Sequence, residues 1–200
     1  MFSNHRCNFW HNNYFSKESQ CRKILSVQLR FSGLFFKQNI IIVMASHEEN
    51  LIRSGLVLPE LPSPAGLYRP GIRVGDLIYT SGQLPLVDGK LLEPGGKGSV
   101  TISTEQEAAM AARRAALNAV AVLRSVAGSL DVVRSIVKLT VYVSSASGFT
   151  NQHKVANGAS ELIGEIFGES GQHVRSAVGV IALPFDASIE VELIAQCLTT

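Results

Sequence analysis

Apolar residues recur along the chain at two spacings, and these spacings predict where helices and strands lie. One helical repeat begins at a capping box formed by Thr104 and Glu107 and stops at Gly128. A second covers about residues 151–167 and ends at Gly168. Alternating or β-branched runs predict strands at residues 72–74, 77–81, 136–143, 174–181 and 188–196.

The order of these elements predicts the fold class. Asp88-Gly89 lies between two apolar pairs and predicts a tight hairpin turn after the first two strands. The long elements then follow as β-β-α-β-α-β-β. This order predicts an α+β domain in which a mixed β-sheet carries both helices on one face.

Alternation in the later strands predicts that the second face of the sheet is uncovered in one subunit. In the last strand the apolar set is Ile189, Val191, Leu193 and Ala195, and the opposite set is Glu190, Glu192, Ile194 and Gln196. In the strand at 136–143 the apolar set is Val137, Leu139, Val141 and Val143, and the opposite set is Lys138, Thr140 and Tyr142. A semi-polar face is either solvated or buried by other subunits, and Tyr142 and Ile194 favour burial in an oligomer.

Charge divides the 200-residue chain at about residue 44. Residues 1–43 hold six Lys or Arg and one acid, a net charge of +5, whereas residues 44–200 have a net charge of −3. The basic segment partly matches an organellar transit peptide, but Met44 also resembles a natural start. We expect residues 1–43 to be an unstructured extension, either a start-site artefact or a targeting segment, and residues 44–200 to form one domain. Four prolines predict an extended arm over residues 44–70.

The same composition excludes several functional classes. A domain of net charge −3 has no electrostatic reason to bind nucleic acid, and no apolar run reaches the roughly 20 residues that span a membrane. Three scattered cysteines, with His153 and His173 far apart, have no metal-ligand spacing, so we expect no metal. The glycine-rich stretch 93–99 lacks the Gly-Lys-Ser/Thr ending of a phosphate-binding loop and is expected to be a flexible connection.

Arg175 is the basic residue with the most unusual surroundings, because it lies at the start of an apolar strand. A guanidinium there needs an anionic partner, since an unpaired buried charge is costly. One possibility is a structural salt bridge to Glu190 or Glu192 on a strand paired with it as a hairpin. The other is a fork that binds a small carboxylate through two parallel hydrogen bonds.

Two motifs add a resemblance to a known family. Tyr68-Arg69-Pro70-Gly71, followed by residues 74–83, forms the first motif, and Arg175-Ser176-Ala177-Val178, with Leu183-Pro184 and residues 189–192, forms the second. Both resemble signatures of the RidA/YjgF (endoribonuclease L-PSP) family, and the likeness covers about residues 60–198. The glycine-rich stretch and a long 144–157 region resemble a longer YjgF-like subgroup.

The resemblance implies a chorismate-mutase-like fold, a homotrimer and three clefts between subunits. It implies that Arg175 grips the carboxylate of a reactive 2-imino or enamine acid and that Glu190 positions the attacking water. Tyr68, from the neighbouring subunit, and Ser81 would complete the substrate site. The implied enzyme hydrolyses this small carboxylate-bearing metabolite to a 2-keto acid and ammonia, without a cofactor.

Other functions and the compartment stay open at this point. The alternatives are an endoribonuclease, which the family's older name records, and a non-catalytic trimer that binds small metabolites or acts like a chaperone. A cytoplasmic location is expected, with organellar targeting by residues 1–43 as the alternative.

Overall fold

The computed structural model describes residues 22–31, 34–43, 45–61 and 66–198. The chain divides into two compact units, residues 1–44 and 45–200. In the first, β1 (Arg22–Phe31) pairs antiparallel with β2 (Leu34–Val43), so the expectation of an unstructured extension does not hold for these two segments. Both are rich in Ile, Leu, Val and Phe, which favour strands. Residues 1–21 lie outside the described part.

The second unit begins with a helix where an extended arm was expected. In α1 (His47–Arg53), Ser46 Oγ accepts a hydrogen bond from the Glu49 amide at 3.1 Å, and the Ser46 amide donates to Glu49 Oε2 at 2.9 Å. This reciprocal capping satisfies amides that the first helical turn leaves free. The prolines that suggested an arm come later in the segment, from Pro59 onward.

The remaining elements follow the predicted order. They are β3 (Gly71–Val74), β4 (Leu77–Thr80), β5 (Leu86–Val87), β6 (Lys90–Leu91), α2 (Glu105–Ala127), β7 (Val133–Ser144), α3 (Gln152–Val155), α4 (Asn157–Phe167), β8 (Val174–Val180) and β9 (Ile189–Cys197). Five strands form one sheet in the order β3-β4-β9-β7-β8, in which β7 and β8 are parallel and the other pairs antiparallel. The α+β class with a mixed sheet is therefore confirmed. The hairpin between β5 and β6 turns at Asp88-Gly89, as predicted.

Both long helices cover the same face of the sheet. Helix α2 packs on β9, β4 and β3, and α4 packs on α2 and β7. The α2 face against the sheet consists largely of alanine, which lets the helix axis lie close to the strands. The apolar set of β9 is buried to 1% exposure or less, as its alternation predicts. Each such Ile, Val or Leu side chain contributes roughly 1.5–3 kcal/mol relative to an exposed position.

Two local predictions are wrong. The Thr104 hydroxyl does not cap α2 but accepts a hydrogen bond from the Thr101 amide at 2.9 Å, at the start of a short 3-10 turn. Val137 is 38% exposed, because the pairing of β7 with β9 shifts register between Ile136 and Lys138. The bulge places Ile136 in the core instead.

The glycine-rich stretch 93–99 is tied to the rest of the domain, contrary to the expectation of a flexible connection. The Gly98 amide donates to Asp186 O at 2.7 Å, and the Ser188 amide donates to Gly96 O at 3.0 Å. A Cβ at Gly95 would overlap the backbone of Glu107 in α2. The glycines therefore permit close approach between backbones.

Candidate functional site

Arg175 lies on the edge strand β8 and points to the helix-covered side of the sheet. It is in register with Leu139 of β7, which is fully buried under the helices. Its guanidinium Nη1 donates to Asn157 Oδ1 at 3.0 Å and to Ser160 Oγ at 2.9 Å, and Nη2 donates to the His153 carbonyl at 3.2 Å. These neutral acceptors fix the guanidinium against α3 and α4 without neutralising its charge.

The structural salt bridge considered for Arg175 is not formed. Strands β8 and β9 are not neighbours, because β7 lies between them in the sheet. The hairpin pairing assumed for Glu190 and Glu192 is therefore wrong. Within the described residues, no carboxylate lies within 4.0 Å of the guanidinium. Arg175 thus keeps an uncompensated charge at the rim of an open cleft of about 420 Å³.

Glu190 lies on the opposite face of the sheet. It pairs with Tyr142 of β7, and Tyr142 is three residues from Leu139, so their side chains point to opposite sides. The carboxyl group packs over Gly82, where a Cβ would overlap Glu190 Oε1. Burial first, and the nearby Glu192 carboxylate second, raise the pKa of Glu190 above its ordinary value. A raised pKa makes this carboxylate a better proton acceptor than an ordinary glutamate.

Two more polar groups lie beside Glu190 on this uncovered face. The Tyr142 hydroxyl donates to Glu192 Oε2 at 3.3 Å. Burial is the main reason that the pKa of Tyr142 is raised, and the Glu192 carboxylate adds to it. The face is therefore polar around Glu190, whereas exposed Tyr79 and Val178 give it apolar patches elsewhere.

Ser81 lies near Glu190, since it directly precedes Gly82. Its hydroxyl donates to the Arg69 carbonyl at 2.7 Å, and it lines a second cleft of about 340 Å³ with Tyr79 and Thr80. Tyr68 is 51% exposed and, within the described residues, has no side-chain hydrogen bond to Arg175, Ser81 or Glu190.

Three of the four predicted site residues therefore fall into two separate groups, and Tyr68 belongs to neither. The arginine half-site comprises Arg175, Asn157 and Ser160 on the helix side, and the glutamate half-site comprises Glu190, Gly82 and Ser81 on the uncovered side. One subunit does not bring the two half-sites together, because the sheet lies between them.

Sequence reasoning missed Asn157, Ser160 and His173. Asn157 and Ser160 are three residues apart in α4 and so share a helix face, which the sequence alone could have shown. The sequence could not show that this face contacts β8. His173 was considered for metal binding alone, and it hydrogen-bonds Ser160 at 3.1 Å.

No group of three potential His, Cys, Asp or Glu ligands occurs in the part of the chain that the structure describes. No helix there is long and apolar enough to cross a membrane.

Comparison with known proteins relates this geometry to a family. The profile described as "YjgF/chorismate_mutase-like, putative endoribonuclease" matches residues 48–197. Protein TCP17 of Trypanosoma cruzi is 43% identical over 148 residues, which are 74% of this chain and 91% of that protein. The Escherichia coli protein named "Putative reactive intermediate deaminase TdcF" is 27% identical over 67% of this chain and 89% of its own length.

A solved structure supports the same relationship. The crystal structure of "a putative endoribonuclease" from Shewanella oneidensis superposes with a TM-score of 0.71 and 34% identity, covering 76% of this chain and 99% of that one. The profile match begins at residue 48, so residues 1–43 lie outside the matched region.

Proposed function

This chain belongs to the YjgF/chorismate-mutase-like family, and we propose that it hydrolyses reactive 2-imino or enamine acids to 2-keto acids and ammonia. Relatives carry names that refer to either a reactive-intermediate deaminase or an endoribonuclease. Of these two reactions, the deaminase reaction fits the described residues better.

One observation supports this choice above all: neutral groups hold the Arg175 guanidinium in place, and no carboxylate among the described residues pairs with it. Its three acceptors orient the guanidinium, while Nε and one Nη2 hydrogen have no partner among the described residues. A planar fork oriented in this way suits a small carboxylate through charge-assisted hydrogen bonds. An imino acid carries such a carboxylate beside its electrophilic carbon.

Glu190 would act on the water that attacks this carbon. The imine is already electrophilic, so the site needs to orient substrate and water and to accept a proton. The raised pKa of Glu190 suits a group that accepts that proton. Ser81 and Tyr68 are proposed to contact the substrate, and we expect the reaction to need neither metal nor organic cofactor.

The opposite placement of the half-sites supports a cleft shared by two subunits. We propose a homotrimer in which the arginine half-site of one subunit faces the glutamate half-site of the next. The exposed Tyr79 and Val178 on the uncovered face would then be buried against a neighbour. A cytoplasmic location and a small carboxylate-bearing metabolite as partner are part of the same proposal.

Endoribonuclease activity is the second candidate, and the description of the family and of the Shewanella oneidensis protein favours it. The net charge of −3 over residues 44–200 opposes it, because RNA binding relies on basic surfaces. Incubation with labelled single-stranded RNA should leave the RNA intact at enzyme concentrations that fully hydrolyse an imine.

Mixed trimers test the proposal. Subunits carrying Arg175→Ala and subunits carrying Glu190→Gln, co-expressed with different tags, should each be nearly inactive alone. If every cleft takes one half-site from each of two neighbours, about a quarter of the clefts in an equal mixture contain both intact residues. Hydrolysis of freshly generated 2-aminoacrylate should recover to about that fraction of wild-type activity.

The control replaces one parent with the double variant Arg175→Ala/Glu190→Gln, and this mixture should show no recovery. Absence of recovery in the test mixture would contradict a shared cleft. Full activity in either single variant would contradict the assigned roles.

A further inference from the structure

The Ser160 hydroxyl group has two polar side-chain partners, a histidine and an arginine. Ser160 lies in the first turn of α4, and its Oγ is 3.1 Å from His173 Nε2 and 2.9 Å from Arg175 Nη1. Arg175 can only donate, so Ser160 Oγ accepts from it and is free to donate its own hydrogen. Accepting a hydrogen bond from a cation makes a hydroxyl group more acidic. The positive end of the α4 dipole acts in the same direction.

The orientation of His173 follows from its other nitrogen. Nδ1 lies 2.6 Å from the Gly171 carbonyl, which can only accept, so Nδ1 carries a hydrogen. In the neutral imidazole Nε2 is then an acceptor that faces the Ser160 hydroxyl. A hydroxyl group hydrogen-bonded to a base, with that base oriented by a third group, is the arrangement of an activated nucleophile.

Space is available next to Ser160. The cleft of about 420 Å³ is lined by Ser160, His173 and Arg175 together with Gly164, Gly168 and Gly171. Gly164 is four residues after Ser160 and therefore lies on the same helix face. A Cβ at Gly164 would meet nothing within 4 Å, so the helix surface there is open. A small acyl group beside Ser160 would not overlap a side chain at this position.

We propose that Ser160 is a nucleophile with His173 as its base, and that the pair cleaves small esters or thioesters that carry a carboxylate. Ser160 Oγ attacks the carbonyl carbon while its proton moves to His173 Nε2. The leaving alcohol or thiol then takes that proton, and an acyl-Ser160 ester remains. Water attacks this ester, its proton passes through His173 to Ser160 Oγ, and the carboxylic acid leaves. Nε and the free Nη2 hydrogen of Arg175 would hold the substrate carboxylate.

This activity is independent of the proposed imine hydrolysis, although Arg175 is common to both. Glu190 takes no part, because it lies on the other face of the sheet. A competing explanation is that Ser160 only anchors Arg175. In that case the hydroxyl group would need no base, and changing His173 would leave its reactivity unchanged.

The test uses the full chain and a fluorophosphonate probe, which reacts with activated serines and contains no imine. Mass spectrometry of digested protein should find the probe on Ser160. His173→Ala should lower that rate at least ~100-fold, and added imidazole should restore part of it. Ser160→Ala should abolish labelling, whereas Ser125→Ala, at an exposed position of α2, should not change it.

Two outcomes would overturn the proposal. The first is labelling of Ser160 no faster than of Ser125. The second is an unchanged rate in a His173→Ala protein that is folded by circular dichroism. Labelling of the Glu190→Gln protein keeps the two proposals separate, because that variant should lose imine hydrolysis while the probe still reacts with Ser160 at the wild-type rate.

Discussion

Replacing Arg175 by lysine separates charge from geometry at the centre of the arginine half-site. Lysine keeps the positive charge but lacks the planar fork, so it cannot form two parallel hydrogen bonds to one carboxylate. It also cannot reproduce the spacing by which Nη1 and Nη2 reach Asn157, Ser160 and the His153 carbonyl together. The ammonium group is therefore less well oriented towards a ligand.

The structure indicates how large the two effects should be. Losing one charge-assisted hydrogen bond costs about 1.5–3 kcal/mol, which corresponds to roughly 10- to 150-fold in the Kd of a carboxylate ligand. Stability should change far less, because Arg175 neutralises no acid among the described residues and its removal leaves no carboxylate unpaired. Its acceptors lie at the rim of a cleft where water can replace it, so we expect less than about 1.5 kcal/mol.

Isothermal titration with a small 2-keto acid, the proposed product class, measures the Kd, and urea unfolding measures stability. Arg113→Lys is the matched control. Arg113 donates two parallel hydrogen bonds to Glu165, at 2.8 and 2.6 Å, and Glu165 belongs to neither half-site. That pair is partly exposed and is worth about 0.2–1 kcal/mol, with no effect on ligand binding. A Kd for Arg175→Lys within two-fold of wild type would falsify the proposal that the Arg175 guanidinium binds the carboxylate through two hydrogen bonds. A loss of more than about 3 kcal/mol in the free energy of unfolding would indicate that Arg175 has a structural role instead.

Three other predictions address pH dependence, assembly and the N-terminal segment. Because the pKa of Glu190 is raised by burial and then by Glu192, the folded state favours the neutral acid, and stability is lost as pH rises through the folded pKa. Glu190→Gln should therefore melt at a higher temperature than wild type at about pH 8, with the gain vanishing below about pH 4; an equal gain at both would contradict this. Light scattering of residues 44–200 should give about three subunit masses, and a stable monomer at micromolar concentration would exclude the closed trimer. A chain that starts at Met44 should keep the melting temperature and imine hydrolysis of the full chain, because the compact unit begins at Ala45; a large loss of either would show that the segment supports the domain.

Part of the candidate site could be predicted from the sequence, because a charged residue in an apolar strand is unusual. Arg175 was identified from its apolar neighbours. The alternation of β9 gave only the face on which Glu190 lies, and the role of Glu190 came from the family resemblance. The positions of these two residues relative to each other could not be predicted. The assumed hairpin between β8 and β9 required the two strands to be neighbours in the sheet, and closeness in sequence does not establish that. Because β7 lies between β8 and β9, the assumed salt bridge cannot form. The strand registers place Arg175 and Glu190 on opposite faces of the sheet.

The sequence by itself determined the elements whose signals are local. The helical repeat ending at Gly128, the alternation in β9 and the turn at Asp88-Gly89 each depend on neighbouring residues, so they were correct without knowledge of the fold. The tertiary structure alone decided the features that join distant segments. Among these are the contact of α4 with β8, which brings Ser160 to His173 and Arg175, and the ties between residues 93–99 and Asp186. The physical reason is that periodicity records which side of an element is buried, whereas a neighbour across the sheet is chosen by packing of the whole domain.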